Sequence, residues 1–250
     1  MTTLPLLQTV MIMLSCKPVE SESSPRSVTA ILAYRWPMES GTSPPTEVNQ
    51  FYLRNVNYTG KTSIVYTSLA ARGYVKEYDL TTWVSTDLVS LTEVGPIAKG
   101  HNDELIYCDP QKPEYIFKKV DDTLTVQYHI DTGVTRPHHV AALAWDSATS
   151  AIYAVRPGSE EGSLELLRVP HDGNYTSIAY QRRGTVVGLE YYDNFLYIAV
   201  NELGGTGVVD QLEINPTSPG PPKSRHSYHF PGGDISTNSL GVGKVDVQPP

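Results

Sequence analysis

Leu143-Ala-Trp-Asp146, Ala151-Ile-Tyr-Ala-Val155 and Leu164-Glu-Leu-Leu-Arg-Val169 are three short runs separated by turn-forming residues. The first two are almost wholly apolar, and the third is largely so. The pattern returns about 44 residues later as Leu189-Glu-Tyr191, Phe195-Leu-Tyr-Ile-Ala-Val200 and Val209-Asp-Gln-Leu-Glu-Ile214. Runs of four to eight residues rich in β-branched and aromatic side chains, bounded by Gly, Asp and Asn, are strands. Two similar groups of strands in succession point to a repeat.

The same unit extends towards the N-terminus. Tyr66, Tyr107, Tyr153 and Tyr197 each sit in a short apolar run: Ile-Val-Tyr, Leu-Ile-Tyr, Ala-Ile-Tyr and Phe-Leu-Tyr. They are 41, 46 and 44 residues apart. After each, a turn leads to a longer strand, such as Tyr74–Leu80 after Ala70–Gly73, or Tyr115–Val120 after Asp109–Pro110. No 3.6-residue periodicity separates them. A period of 40 to 50 residues made only of strands is the signature of a β-propeller, in which four-stranded sheets cover one another's faces around an axis. The expectation is an all-β propeller of four-stranded blades, five or six in number, in a complete or an incomplete ring. Its domain runs over 28–250. Ring closure would pair an N-terminal strand within 27–36 with the last C-terminal strand and so remove the exposed edges.

The chain begins with an apolar leader, Met1 to Cys16. Its Leu4–Leu14 core has the length of a signal-peptide hydrophobic region and is too short to span a bilayer. Residues 1–16 are therefore expected to be a cleaved signal peptide. The Pro-, Ser- and Glu-rich stretch 17–27 reads as a flexible linker. Two Asn-x-Thr sequons, at Asn57 and Asn174, fall in expected turns, where a glycan needs to be. With the leader removed, Cys108 is the remaining cysteine. It is expected to be a small buried hydrophobe, with pairing to another chain as the alternative.

Composition narrows the function. Sixteen Tyr against four Phe suits pleated surfaces whose aromatic rings keep a polar tip in water. A net charge of −8 does not suit a phosphate-backbone binder, so no nucleic-acid partner is expected. No P-loop, dinucleotide fingerprint, Gly-x-Ser-x-Gly elbow or His-Glu-x-x-His is present. Gly204–Gly207 lies between two strands with no helix after it, and reads as a hairpin turn. Arg182-Arg183 reads as a solvated, turn-borne pair. His138-His139 and His226/His229 lack ligand spacing, since in a strand the first pair and the second would both point to opposite faces.

Leu143–Val155, Leu164–Val169 and His171-Asp-Gly173 together resemble a blade of the low-density-lipoprotein-receptor (Tyr-Trp-Thr-Asp-like) and TolB-like propeller class, over about Thr62 to Ile214. The Trp-Thr-Asp expected after the tyrosine is replaced by Ala154-Val155, Ile198-Ala199 and Cys108-Asp109, so the resemblance implies a six-bladed scaffold without that family's calcium or ligand features.

Asp103, Asp146 and Asp193 recur between the first two strands of successive units. They read either as turn formers or as axial carboxylates for a hard cation such as calcium. The first reading leads to a secreted, non-enzymatic recognition module without a cofactor. It would bind an extracellular protein or ligand through the loops at 37–49, 109–114, 156–163 and 215–225. The second leads to a metal-dependent hydrolase of the gluconolactonase or paraoxonase type, whose catalytic residues the sequence does not single out. A third possibility is a surface-protein fragment whose ring a partner chain completes.

Overall fold

A computed structural model describes residues 14–15, 27–30, 48–54, 63–68, 74–79, 84–90, 95–120, 125–130, 139–214, 222–229 and 243–246. All nineteen strands in these segments belong to antiparallel sheets. The first four-stranded sheet is β3 (Val48–Arg54), β4 (Ser63–Ser68), β5 (Tyr74–Asp79) and β6 (Ser85–Ser90). The second is β7 (Ile97–Lys99), β8 (Leu105–Cys108), β9 (Tyr115–Lys119) and β10 (Thr125–His129). The third is β11 (Ala142–Asp146), β12 (Ala151–Pro157), β13 (Leu164–Val169) and β14 (Thr176–Ile178). The fourth is β15 (Gly184–Tyr192), β16 (Phe195–Glu202), β17 (Gly207–Glu213) and β18 (Ser224–His229). Each is a meander whose strands pair in chain order.

A fifth, three-stranded sheet joins the two ends of the chain. β1 (Leu14–Ser15) pairs with β2 (Ser27–Ala30), and β2 pairs on its other edge with β19 (Gly243–Asp246). In register, Val28 faces Val245 and Thr29 faces Lys244. The expected pairing of an N-terminal with a C-terminal strand is present, over a shorter stretch than 27–36.

The sheets stand radially. β7 lies against β3 on one side and β11 on the other, and β11 lies against β15. The first strand of each meander is therefore the one nearest a common axis, and the chain steps outward from it through each sheet. Between consecutive sheets lies a core, because neither face of such a sheet can be left in water. β12 shows how the side-chain period of two serves both seams. Ile152 and Ala154 enter the core shared with the second sheet, whereas Tyr153 and Val155 enter the core shared with the fourth. β13 does the same with Leu167 and Val169 against Leu164 and Leu166. Five of the six residues Ala151–Arg156 are fully shielded and the sixth is nearly so, which is why β12 reads as a continuous apolar run.

The four tyrosines lie on β4, β8, β12 and β16, the second strand of each sheet, one place outward from the axis. Their faces are not equivalent. Tyr107 packs back into the seam with the first sheet, stacked on Phe117 with centroids 5.2 Å apart. Tyr153 points forward into the seam with the fourth sheet, and Tyr197 also points away from the preceding sheet. Aligning tyrosine on tyrosine is therefore one residue out of phase at the second sheet. Ile106 and Cys108 occupy the forward face there. A slip of one residue exchanges the two faces of a strand.

Two glycines mark close or reversed backbone. Gly184 opens β15 at φ 150°, where a Cβ would lie 2.1 Å from the Asn201 carbonyl oxygen. Gly205 turns the β16–β17 hairpin at φ 76°. The Gly204–Gly207 stretch is the hairpin turn expected from the sequence.

Candidate functional site

The connections fall at two ends of the ring. At one end are the links between second and third strands, 109–114, 158–163 and 203–206, together with the crossovers from sheet to sheet. The crossover into the third sheet leaves beside Glu114, which accepts from the Ile130 amide, and arrives where the Ala141 amide donates to Val155. This puts the 109–114 and 158–163 links at the same end. The crossover 179–183 joins them, because the Gly184 amide donates to the Gly162 carbonyl at 2.8 Å.

A charged network holds this crossover in place. Asp210 on β17 is completely buried. It lies on the face of β17 that looks towards the third sheet, with Leu212 and Ile214. Its carboxylate accepts from Arg182 Nη2 at 2.6 Å and Nε at 3.0 Å, from Tyr180 Oη at 2.9 Å and from Ser227 Oγ at 2.6 Å. Arg225 adds a contact at 3.1 Å, and Arg182 also bonds Glu202 through Nη1. Burial alone would raise the Asp210 carboxyl. The hydrogen bonds from Arg182, Ser227 and Tyr180 outweigh it and hold the group below the usual carboxylate range. The Tyr180 hydroxyl is pushed up by burial and by the adjacent anion. Arg182 is thus not the solvated surface residue that its sequence suggests, with a side chain 10% exposed. Its neighbour Arg183 does face solvent, 2.5 Å from Glu160.

Above this network the surface is a ridge. Leu203, at the hairpin tip, is 70% exposed and leans over Gly162, whose Cβ position is 3.0 Å from Leu203 Cδ1. Glu160 and Glu161 project beside it. Ser163 Oγ donates to the Glu160 carbonyl and accepts from its amide, which fixes the loop in a definite turn.

At the other end lie the turns between first and second strands, and these carry all three recurrent aspartates. Asp103 closes the 3-10 turn His101–Asp103 between β7 and β8. Asp146 ends β11, and its buried carboxylate accepts from the Ala148 and Thr149 amides and from Thr149 Oγ1 at 2.5 Å. It organises its own turn. Asp193 is exposed and, with Asn194, forms a two-residue turn in which both have positive φ, 51° and 66°. No group of three His, Cys, Asp or Glu side chains that could hold a metal ion occurs among the described residues.

Sequon residue Asn174 is exposed in the link between β13 and β14, its amide bonded to Asp172 Oδ1 at 3.2 Å. Asn57 lies outside the described residues, as do His138, most of the 37–49 loop and the 215–221 segment. His139 is exposed, and His226 and His229 sit on opposite faces of β18, His226 edge-on to Tyr228 at 4.5 Å. Cys108 is free and buried in the seam between second and third sheets, where desolvation pushes its thiol up.

Radially stacked four-stranded meanders with their first strands at the axis define a β-propeller. No family model and no curated protein matches the chain. Among solved structures, a chain of a nidogen/laminin complex aligns at 16% identity and a TM-score of 0.53, over 80% of this chain and 74% of that one. Hydrazine synthase from Kuenenia stuttgartiensis aligns at 11% identity and a TM-score of 0.51, over 77% of this chain and 53% of that one. At such identities the likeness concerns the fold alone. No described helix is long and apolar enough to cross a membrane.

Proposed function

We propose that the chain is a secreted, N-glycosylated propeller that works without catalysis or cofactor, binding an extracellular protein through the crossover end of the ring. What supports the reading most is the ridge of Glu160, Glu161 and Leu203. It combines an exposed apolar tip with flanking carboxylates, and the Asp210–Arg182 network beneath gives it a rigid base. Loops on a rigid scaffold are where binding residues concentrate, and a preorganised loop loses little entropy on binding. The aspartates at the opposite end serve turns, and calcium has no role in this reading.

Expression in a glycosylating host tests the extracellular half. The expected product lacks residues 1–16, and with them β1, so that its terminal sheet keeps β2 and β19; it carries glycan at Asn57 and Asn174, with Asn174→Gln lowering the glycan mass by one chain. A product that keeps its leader and carries no glycan overturns it. The binding half is tested by screening purified ectodomains and then the double variant Glu161→Lys/Leu203→Asp. Binding abolished by that variant supports the ridge. Binding indifferent to it, but lost on substituting Asn102 or Asn194 at the opposite end, contradicts it. Added calcium is expected to leave the melting temperature unchanged; a rise would favour a bound ion.

A further inference from the structure

The meanders sort their connections by parity. In an antiparallel meander the links after the first and third strands share one end, the turn end. The link after the second strand shares the other end with the crossover to the next sheet. Link 170–175 follows β13, a third strand, and so lies at the turn end with Asp103, Asp146 and Asp193. Its Asn174 is exposed and opens the pattern Asn174-Tyr-Thr176. The turn is well defined. The Gly173 amide, at φ 84°, donates to the Pro170 carbonyl at 2.9 Å, and the Asn174 amide donates to Asp172 Oδ1 at 3.2 Å. The sequon at Asn57 obeys the same parity. Its link leaves β3, a first strand, at Arg54 and returns on β4 at Ser63, the direct register partner of Arg54.

The crossover end differs in composition. The segments 69–73, 91–94, 109–114, 131–141, 158–163, 179–183 and 203–206 contain no asparagine. The loops that form the ridge therefore cannot accept an N-linked glycan. The third sheet carries both kinds of loop, one at each end of β13. That strand has six residues. At about 3.3 Å per residue it sets link 158–163 about 20 Å from link 170–175.

We infer that N-linked glycan covers the turn end and leaves the crossover end, with its ridge, as the end open to a partner protein. The inference rests on the extracellular reading above. A glycan is bulky and solvated, and it denies the surface beneath it to a second macromolecule. Modification and contact are thereby kept at opposite ends of the same strands. The glycan on Asn174 stands beside Asp172, whereas Glu160 and Glu161 lie a strand length away and stay bare.

Carboxylate footprinting of the full chain from a glycosylating host tests this, with a carbodiimide and glycine ethyl ester as the probe. Asp172, Glu160 and Glu161 are all exposed and report the two ends of one sheet. In Asn174→Gln, labelling of Asp172 is expected to rise about twofold or more, with Glu160 and Glu161 unchanged. Gly204→Asn supplies the reciprocal case. It completes an Asn-x-Thr pattern with Thr206 at the ridge, where an added Cβ meets nothing within 4 Å. Its glycan is expected to protect Glu161 and leave Asp172 as in the wild type. A glycan on Asn174 that leaves Asp172 as reactive as in Asn174→Gln, or that also protects Glu160 and Glu161, overturns the inference and leaves the extracellular reading standing. A chain without its leader but bare at Asn174 does the same. A chain that keeps its leader and carries no glycan overturns both.

Discussion

The two faces of the fourth sheet are built on different terms. The face towards the third sheet carries Leu196, Ile198, Val200, Leu212 and Ile214, each nearly or fully shielded, and one charge, Asp210, surrounded by donors. The opposite face carries Tyr192, Phe195, Tyr197, Gln211, His226 and Tyr228. There Gln211 Nε2 donates to Tyr197 Oη at 3.1 Å and accepts from Tyr228 Oη at 3.0 Å through Oε1, a chain of neutral bonds across three strands. The first face excludes water and must neutralise any charge it contains. The second uses rings with polar tips, tolerates partial exposure, and holds its polar atoms with bonds that water can replace. Side chains of one strand, a residue apart, therefore contribute to stability in different ways.

A bulge keeps the two faces separate. In β15 the register shifts between Val186 and Gly188, so that Val186 and Leu189 share the inner seam, and Glu190, opposite Tyr197, does not enter it. Burial nevertheless pushes the Glu190 carboxyl up to about 8, against the pull of Lys99.

The largest effect should come from breaking the inner face at its charge. Asp210→Ala leaves Arg182, Arg225 and Tyr180 without their shared acceptor in a buried place. A loss of about 3–5 kcal/mol is expected in urea unfolding, and a loss within the range of an exposed ion pair would show that water reaches the network. On the same face, Ile198→Val should cost about 0.5–1.5 kcal/mol by removing one shielded methylene. On the opposite face, Tyr228→Phe removes one neutral bond to a half-exposed partner. It should cost about 0.5–1.5 kcal/mol at most, towards the lower end where water replaces the bond. If Tyr228→Phe proved the costlier of the two, the contrast between the faces would fail.

The smallest effect is in the pH profile. Glu190 has a folded-state affinity for its proton above the unfolded one, so the folded state binds more protons between about pH 4.5 and 8. Its contribution is present below that window and is lost as pH rises through it. Glu190→Gln should flatten the fall in stability over this window. An unchanged profile in the variant would assign the slope elsewhere. Asp210 acts in the opposite sense, stabilising at neutral pH and losing its effect only in acid, below the usual carboxylate range.

Much of the fold could be read directly from the residues. The tyrosine spacing located the second strand of all four sheets, because an apolar run buried on both faces has a distinct composition. The phase error at Tyr107 was not legible. Which face a residue takes depends on the exact residue count between strands, and the 46-residue interval conceals a shift of one. Arg182 was misplaced for a related reason. Its partner Asp210 lies 28 residues away on the third strand of the next sheet, a pairing that no local spacing reveals. A signal did exist in the lone Asp within Val208-Val-Asp-Gln-Leu212, since a carboxylate in a shielded strand requires a cation. That Asp146 and Asp193 stand at turns was legible because turn chemistry is local.

β2 and β19 bring an N-terminal and a C-terminal strand of one chain into a single sheet. Val28 and Val245 are direct register partners. Replacing both by cysteine, with Cys108 left buried, tests this pairing most directly. Under mild oxidation a rapid intramolecular disulfide is expected, raising the melting temperature and leaving the protein monomeric on a non-reducing gel. Failure to cross-link, or cross-linking only between molecules, would contradict it.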